Sequence, residues 1–223
     1  MERILFIEGS SGISGDMTVS ALLDLGASRR YMEEQIEKLP LEGYRLLVGR
    51  TMKNGIEACA FYVEMDETKP QPYRDYDTIR KMLFQAELDA GVRELSLRIF
   101  TVLAEAEAKV HGTTMEKVHF HEVGAVDSII DIVAVAACMV DLGISQVAVG
   151  TLSEGTGTVW CQHGRIPVPV PATAELISAY GLSMKILPVE GEMITPTGAA
   201  IAAALRNREL PEEFIIAKMG IGS

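Results

Sequence analysis

The chain begins with a strand-loop-helix pattern, and this pattern limits the fold more than any other feature. Ile4 to Ile7 is a short, nearly continuous apolar run, which is typical of a strand buried on both faces. A glycine-rich polar loop follows over residues 8–16. A helix is then predicted from about Met17 to Leu25, ending before Gly26.

Helical and strand patterns alternate along the rest of the chain without an internal repeat. Residues 43–65 contain alternating apolar residues on both sides of Asn54-Gly55, which predicts a β-hairpin. Further helices are expected near 29–39, 76–89, 92–111, 128–142, 172–180 and 197–205, and further strands near 146–152, 184–187 and 214–218. This order favours an α/β or α+β fold, a mixed sheet with helices packed on it, over a bundle or a sandwich.

Composition and length fit one soluble domain. We expect residues 1–223 to form a single domain. Residues 66–76 are polar and carry two prolines, which predicts an internal junction there. The net charge of −11, with no local basic patch, argues against nucleic acid as a partner. Three scattered cysteines suggest a reducing cytoplasm, and the longest apolar stretch, 129–142, is interrupted by aspartates and predicts no membrane span.

The densest chemistry lies in the run from His119 to Asp131, where a polar loop turns into an apolar helix. Imidazole and carboxylate groups form the ligand set of borderline divalent metals such as zinc, nickel or iron. In an alternating segment His119 and His121 project to one face and can share an ion, whereas Glu122 would point to the opposite face unless the chain turns there. The alternative is two exposed loop histidines, with Glu122 and Asp127 only favouring a helix start.

Two further loops are candidates for holding a phosphate or carboxylate at a helix N-terminus. In the first, Ser11, Gly12, Ser14 and Gly15 offer backbone N–H groups, and Asp16 is either a partner of the helix dipole or a ligand for a metal that bridges to the anion. In the second, Thr195, Thr197 and Gly198 open a helix. Thr197 is also an ordinary N-cap candidate.

A third segment, residues 161–173, combines a thiol, an imidazole and a basic side chain. Cys161 is interpreted as a buried structural cysteine, whereas His163 and Arg165 are the better candidates for ligand contacts. His111 ends a long predicted helix, where a cation complements the dipole, and is interpreted as structural.

Four segments together resemble the LarC family of nickel-insertion proteins, and they occur in the family's order along essentially the whole chain. The segments are SGISGDM at 11–17, HFHEVGAVDS at 119–128, HGRIPVP at 163–169 and TPTGAA at 195–200. LarC proteins use CTP and a divalent metal, Mg or Mn, to install nickel in a thiolated pyridinium mononucleotide. The product is the nickel-pincer cofactor of lactate racemase.

The resemblance implies a cytoplasmic nickel-inserting enzyme. It makes His119, His121, Glu122 and Asp127 the nickel ligands, with Asp16, Glu122 and Asp127 as catalytic candidates. The Ser11–Gly15 loop, the Thr195–Gly198 turn, His163 and Arg165 would hold the precursor. The implied partners are the precursor, a C-terminal CTP-handling portion and, as an open alternative, further copies of the chain in a homo-oligomer.

The sequence departs from the family pattern at three places. Lys69–Tyr73 stands where many members carry a histidine-rich stretch, and Glu8 stands where aspartate is expected. LarC chains also continue beyond a glycine-rich segment like residues 219–223, so this sequence resembles their N-terminal half.

A metal-dependent hydrolase that uses a metal-bound water, and a non-catalytic nickel metallochaperone, are the two alternative functions.

Overall fold

The structure is a computed structural model that describes residues 3–66, 68–69, 74–118, 120 and 125–223. The helices within these ranges are α1 (Gly15–Leu25), α2 (Arg29–Glu37), α3 (Tyr76–Gln85), α4 (Ala90–Val110), α5 (Val126–Asp141), α6 (Pro171–Ala179) and α7 (Pro196–Leu205). The strands are β1 (Leu5–Ile7), β2 (Tyr44–Lys53), β3 (Ile56–Met65), β4 (Val147–Val149), β5 (Leu152–Thr156), β6 (Thr158–Cys161), β7 (Gly164–Pro167) and β8 (Met184–Glu190).

The predicted α/β mixture of helices with parallel and antiparallel strands is confirmed. The strands pair in four two-stranded sheets, of which β1-β4 and β5-β8 are parallel and β2-β3 and β6-β7 are antiparallel. Among the described residues β1 pairs only with β4, and it is less buried than its apolar sequence predicted: Phe6 is 36% exposed and its neighbours are half-buried. The expectation of a strand buried on both faces was wrong.

Helix α5 lies at the centre of the core and packs against α1, α2 and α4. Every residue from Ile132 to Met139 is buried. Such a helix, apolar on all sides beyond its first turns, has to be surrounded by other elements. The N-terminal turns of α5 carry Asp127 and Asp131 instead, so the polar end of this central helix marks one boundary of the core.

The β2-β3 hairpin forms as predicted, with Tyr44 opposite Met65 and Lys53 opposite Ile56. Asn54 and Gly55 both have positive φ angles, 52° and 82°, as a two-residue hairpin turn with the strands' own twist requires.

Two expectations for the last third of the chain need correction. The β6-β7 hairpin occupies a Gly/Thr-rich and Pro-rich stretch for which no strand was predicted. The strand predicted over 214–218 is absent: residues 206–221 form no strand, and the side chains of Phe214, Ile215 and Ile216 are 52% to 80% exposed. β-Propensity alone does not make a strand where no pairing partner lies alongside.

Within the described ranges, no helix is long and apolar enough to cross a lipid bilayer. The predicted junction at 66–76 lies partly outside the described residues, and the single-domain organisation remains a prediction.

Candidate functional site

The glycine-rich loop after β1 ends in a well-formed helix start. Ser14 is the N-cap of α1, and its Oγ accepts a hydrogen bond from the Met17 backbone N–H at 3.4 Å. The Ser14 hydroxyl also donates to Asp16 Oδ1, and this same carboxylate oxygen accepts from the Met17 N–H at 2.9 Å. Asp16 is therefore fixed in the first turn of α1, where a negative charge is favourable.

The two loops predicted to hold an anion touch each other through their backbones. The Ile13 N–H donates to the Met193 carbonyl oxygen at 2.9 Å, and the Thr195 N–H donates to the Ile13 carbonyl oxygen at 3.1 Å. We call residues 9–16 and 191–198 the loop pair. Ser14 and Asp16 at the start of α1 are thereby tied to the start of α7.

Two glycines make the close approach of the loop pair sterically feasible. A Cβ atom at Gly12 would lie 2.1 Å from the Met193 carbonyl oxygen, and one at Gly198 would lie 2.2 Å from the Ile13 carbonyl oxygen. Both distances are well inside van der Waals contact. Gly12 also has a φ of +89°, which side chains other than glycine rarely adopt.

Helix α7 begins at Pro196, one residue before Thr197. Its N-cap is Thr195, whose Oγ1 accepts from the Gly198 N–H at 3.0 Å, and Pro196 occupies the first helical position. Thr197, the N-cap suggested by the sequence, is instead a buried residue of the first turn, 6% exposed.

Glu154 in β5 holds the second loop of the loop pair by hydrogen bonds, and sequence reasoning missed this residue. The side chain is fully buried, and Oε1 accepts hydrogen bonds from the backbone N–H groups of Gly155 (2.7 Å), Met193 (2.7 Å) and Ile194 (3.3 Å). Its other oxygen, Oε2, has no hydrogen-bond partner among the described residues. The sequence signal was weak, because the predicted strand ended at Leu152 and left Glu154 in a polar stretch.

Asp131 in α5 faces the start of α1. A Cβ atom at Gly15 would lie only 2.4 Å from Asp131 Oδ2, and the Asp16 backbone N–H donates to the Asp131 carboxylate. Oδ1 of Asp131 is buried and has no hydrogen-bond partner within the described ranges. Burial raises the pKa of Asp131 well above its ordinary value, and the negative charges of Asp16 and Asp127 raise it further.

We call Asp16, Asp127 and Asp131 the acidic cluster. Asp127 is exposed in the first turn of α5, and its Oδ1 accepts from the Ser128 N–H at 2.8 Å. Mutual repulsion of this kind is relieved by a proton or a cation. Sequence reasoning selected Asp16 and Asp127 but gave Asp131 no role. Its signal was a carboxylate in an apolar stretch, four residues after Asp127 and hence on the same helix face.

Residues 118–122, which we call the histidine loop, precede this end of α5 in the sequence. His119, His121 and Glu122 lie outside the described residues, and their assignment as metal ligands stays a prediction. Val118 and Phe120, next to His119, are 1% and 2% exposed, and the Phe120 ring centroid lies 6.5 Å from that of Phe100 in α4. Among the residues that the structure does describe, no group of three or more His, Cys, Asp or Glu side chains has the arrangement of a metal site.

His163 and Arg165 are placed on the β6-β7 hairpin. The Arg165 Nε–H donates to Thr158 Oγ1 at 2.6 Å, and the His163 ring centroid lies 5.0 Å from that of His111 at the end of α4. None of these contacts involves the loop pair.

Comparison with known proteins decides the family. The sequence profile of the nickel insertion protein family matches residues 5–223. The chain belongs to this family. It is 45% identical, over 240 aligned residues, to the pyridinium-3,5-bisthiocarboxylic acid mononucleotide nickel insertion protein of Alkaliphilus metalliredigens. The alignment covers 100% of this chain and 57% of that protein. No solved structure matches the chain.

Two further relatives carry the name of a nickel insertion protein as a candidate assignment. The protein of Geobacter metallireducens is 51% identical over 205 residues, with 91% of this chain and 52% of the relative covered. The protein of Myxococcus xanthus is 40% identical over 223 residues, with 100% of this chain and 56% of the relative covered. The chain thus spans about half the length of these nickel insertion proteins.

Proposed function

We propose that this chain supplies the nickel-binding and precursor-binding part of an enzyme that inserts nickel into pyridinium-3,5-bisthiocarboxylic acid mononucleotide. The observation that carries the proposal is Asp131: its buried Oδ1 has no partner among the described residues, and its carboxylate lies beside those of Asp16 and Asp127. A cation bound near the polar end of α5 would reduce the repulsion between these carboxylates. The named relative from Alkaliphilus metalliredigens supports nickel as that cation's identity.

In this proposal nickel is a substrate that the protein holds and then transfers. His119, His121, Glu122 and Asp127 are the proposed ligands, and Asp16, Glu122 and Asp127 are the proposed catalytic groups. Imidazole and carboxylate ligands bind nickel, yet they are harder than sulfur and can release it to the thiocarboxylates of the precursor. Asp127 and Asp131 of the acidic cluster directly follow the histidine loop in sequence, so both donor types lie close along the chain.

The loop pair is the proposed site for the precursor's phosphate. The residues concerned are Ser11, Gly12, Ser14, Gly15, Thr195, Thr197 and Gly198. Direct backbone contact between the two loops supports a single site at the N-termini of α1 and α7, where the helix dipoles favour an anion. A phosphate there would lie at the same end of α1 as Asp16. His163 and Arg165 are proposed to contact the precursor from the β6-β7 hairpin.

The remaining activity is assigned to a C-terminal portion like the one that completes the longer relatives. We propose that this portion uses CTP with Mg or Mn, that the complete protein acts in the cytoplasm as a lyase-type nickel chelatase, and that its product serves lactate racemase. Assembly of the chain into a homo-oligomer is part of the same proposal and is testable by light scattering.

Nickel binding to the metal-free chain tests the proposal. Equilibrium dialysis with elemental analysis would compare the wild type with a His119→Ala/His121→Ala variant whose circular dichroism is unchanged. The wild type is expected to bind one equivalent of nickel more than the variant. Equal binding by both proteins would remove the two histidines as ligands. Nickel binding without any affinity for the precursor would favour a metallochaperone.

A further inference from the structure

We propose that His111 and His163 form a second binding site for a borderline transition-metal ion such as Ni²⁺ or Zn²⁺. His111 is the C-cap of α4 and His163 lies in the turn between β6 and β7, and the fold brings the two imidazole rings next to each other. Their ring centroids are 5.0 Å apart and the ring planes are inclined at 45°. We call these two residues the histidine pair.

The separation of the rings fits two imidazoles that share an ion. With metal–nitrogen distances of about 2.1 Å and ligand–metal–ligand angles between about 90° and 110°, two bound imidazoles have centroids roughly 4.6 to 5.3 Å apart. The observed 5.0 Å falls inside this range. An ion between the rings therefore requires rotation of the side chains at most, without movement of α4 or the hairpin.

A carboxylate of α4 is placed to orient one of the two ligands. Glu107 lies one helical turn before His111, and its Oε2 is 3.4 Å from His111 Nε2. Metal-bound histidines usually give their second ring nitrogen to a carboxylate or carbonyl, which fixes the tautomer. With Nε2 directed to Glu107, the proposal assigns Nδ1 of His111 as the nitrogen that binds the ion. Glu107 is then a positioning residue, and we assign it no contact with the metal.

The other ligand is held by the geometry of a tight hairpin turn. The backbone N–H of His163 donates to Cys161 Sγ at 3.4 Å, and the Cys161 thiol donates to the Gly164 carbonyl oxygen at 3.5 Å. These contacts fix the backbone at His163 while its side chain remains exposed. The side chain of His111 is 29% exposed, so an ion can reach both rings from solvent.

Metal titration of the metal-free full chain tests the histidine pair, without the precursor. Ni²⁺ and Zn²⁺ affinities would be measured by competition with a chromophoric chelator for the wild type, His111→Gln and His163→Gln. Each variant should lose about 10- to 100-fold in affinity at one site, and the double variant should lose no more than either single one. Glu107→Gln should weaken this site by about tenfold.

Matched controls separate a lost ligand from a disturbed surface. Thr113→Ala, two residues after His111, and Trp160→Phe, an 81% exposed residue of the same hairpin, should leave metal affinity unchanged. In the wild type, Zn²⁺ should shift the ring ¹⁵N resonances of His111 and His163 together. Unchanged affinity in both glutamine variants, or no joint shift, would overturn the proposal.

The outcome is independent of the site at the end of α5. If the His119→Ala/His121→Ala protein keeps an ion that His111→Gln removes, the histidine pair binds metal even where the proposed function fails. If the histidine pair variants bind metal like the wild type while His119→Ala/His121→Ala does not, only this inference fails.

Discussion

Two buried carboxylates touch the loop pair, and their surroundings differ sharply. Glu154 presents one oxygen to three backbone N–H groups, which gather β5 and the loop at 193–194 around it. Asp131 receives one N–H, from Asp16, and otherwise faces the carboxylates of Asp16 and Asp127. Each side chain has a second oxygen without a hydrogen-bond partner among the described residues.

We infer from this difference that Glu154 is a structural carboxylate and Asp131 a functional one. Three backbone hydrogen bonds to Oε1 tie Glu154 into the fold, and we therefore assign it an architectural role. Asp131 lies among like charges, an arrangement that costs stability unless a proton or cation is added. Such a cost, at the start of two helices and beside two loops, is typical of a binding site.

The largest loss of stability is expected on removing the Glu154 carboxylate. Glu154→Ala leaves the N–H groups of Gly155, Met193 and Ile194 without their acceptor in a buried setting, which should lower the free energy of unfolding by about 3 to 5 kcal/mol. Urea denaturation measures it. Glu154→Gln keeps one acceptor oxygen and should cost clearly less. Equal, small losses in both variants would show that this carboxylate is unimportant.

The second-largest loss of stability is expected on adding a side chain where the two loops of the loop pair touch. Gly198→Ala places a Cβ atom 2.2 Å from the Ile13 carbonyl oxygen, so the loop pair must separate, at a cost of about 2 to 4 kcal/mol. Gly49→Ala is the matched control, because no heavy atom lies within 4 Å of the added Cβ. Thermal unfolding of both variants would show whether the close approach matters, and equal melting temperatures would argue against it.

Neutralising Asp131 should stabilise the protein. The folded-state pKa of Asp131 is raised above its ordinary value of 3.8, so the wild type loses stability as pH rises from about 4 through that folded-state pKa. Asp131→Asn cannot ionise and should be more stable than wild type by about 1 to 2 kcal/mol at neutral pH. The gain should shrink as pH falls towards 4. Urea denaturation across this pH range measures it, and a gain independent of pH would contradict the like-charge account.

The smallest change in stability is expected for Asp16→Asn. The variant gives up a favourable charge in the first turn of α1 but relieves repulsion with Asp131, so unfolding should shift by about 0.5 kcal/mol or less. Differential scanning calorimetry at neutral pH is sufficient. A loss of several kcal/mol would place Asp16 with Glu154, as part of the architecture.

Local signals in the sequence predicted most of the elements. The Asn54-Gly55 turn and the end of α1 at Gly26 each depend on a few neighbouring residues, and the structure has both. Pairing partners are not local. Phe214 to Ile216 have the composition of a strand but no pairing partner, and the β6-β7 hairpin forms in a segment whose prolines and glycines suggested a loop.

The same distinction applies to the site. Ser11 to Gly15 and Thr195 to Gly198 were recognisable as helix starts, but only the fold shows that Ile13 joins them. Asp131 needed the contact of α5 with α1 to be noticed. Glu154 needed its hydrogen bonds to Met193 and Ile194, which lie 39 and 40 residues further along the chain. The histidine loop remains a prediction made from sequence.

Nickel affinity of the acidic cluster tests the central claim most directly. Calorimetric titration of the metal-free chain would compare the wild type, Asp16→Asn/Asp127→Asn, and Glu33→Gln/Glu34→Gln, a control pair of carboxylates on α2. The account predicts at least about tenfold weaker binding in the aspartate variant only, since loss of the charged ligand Asp127 should cost more than about 1.4 kcal/mol. Wild-type affinity in that variant would contradict it.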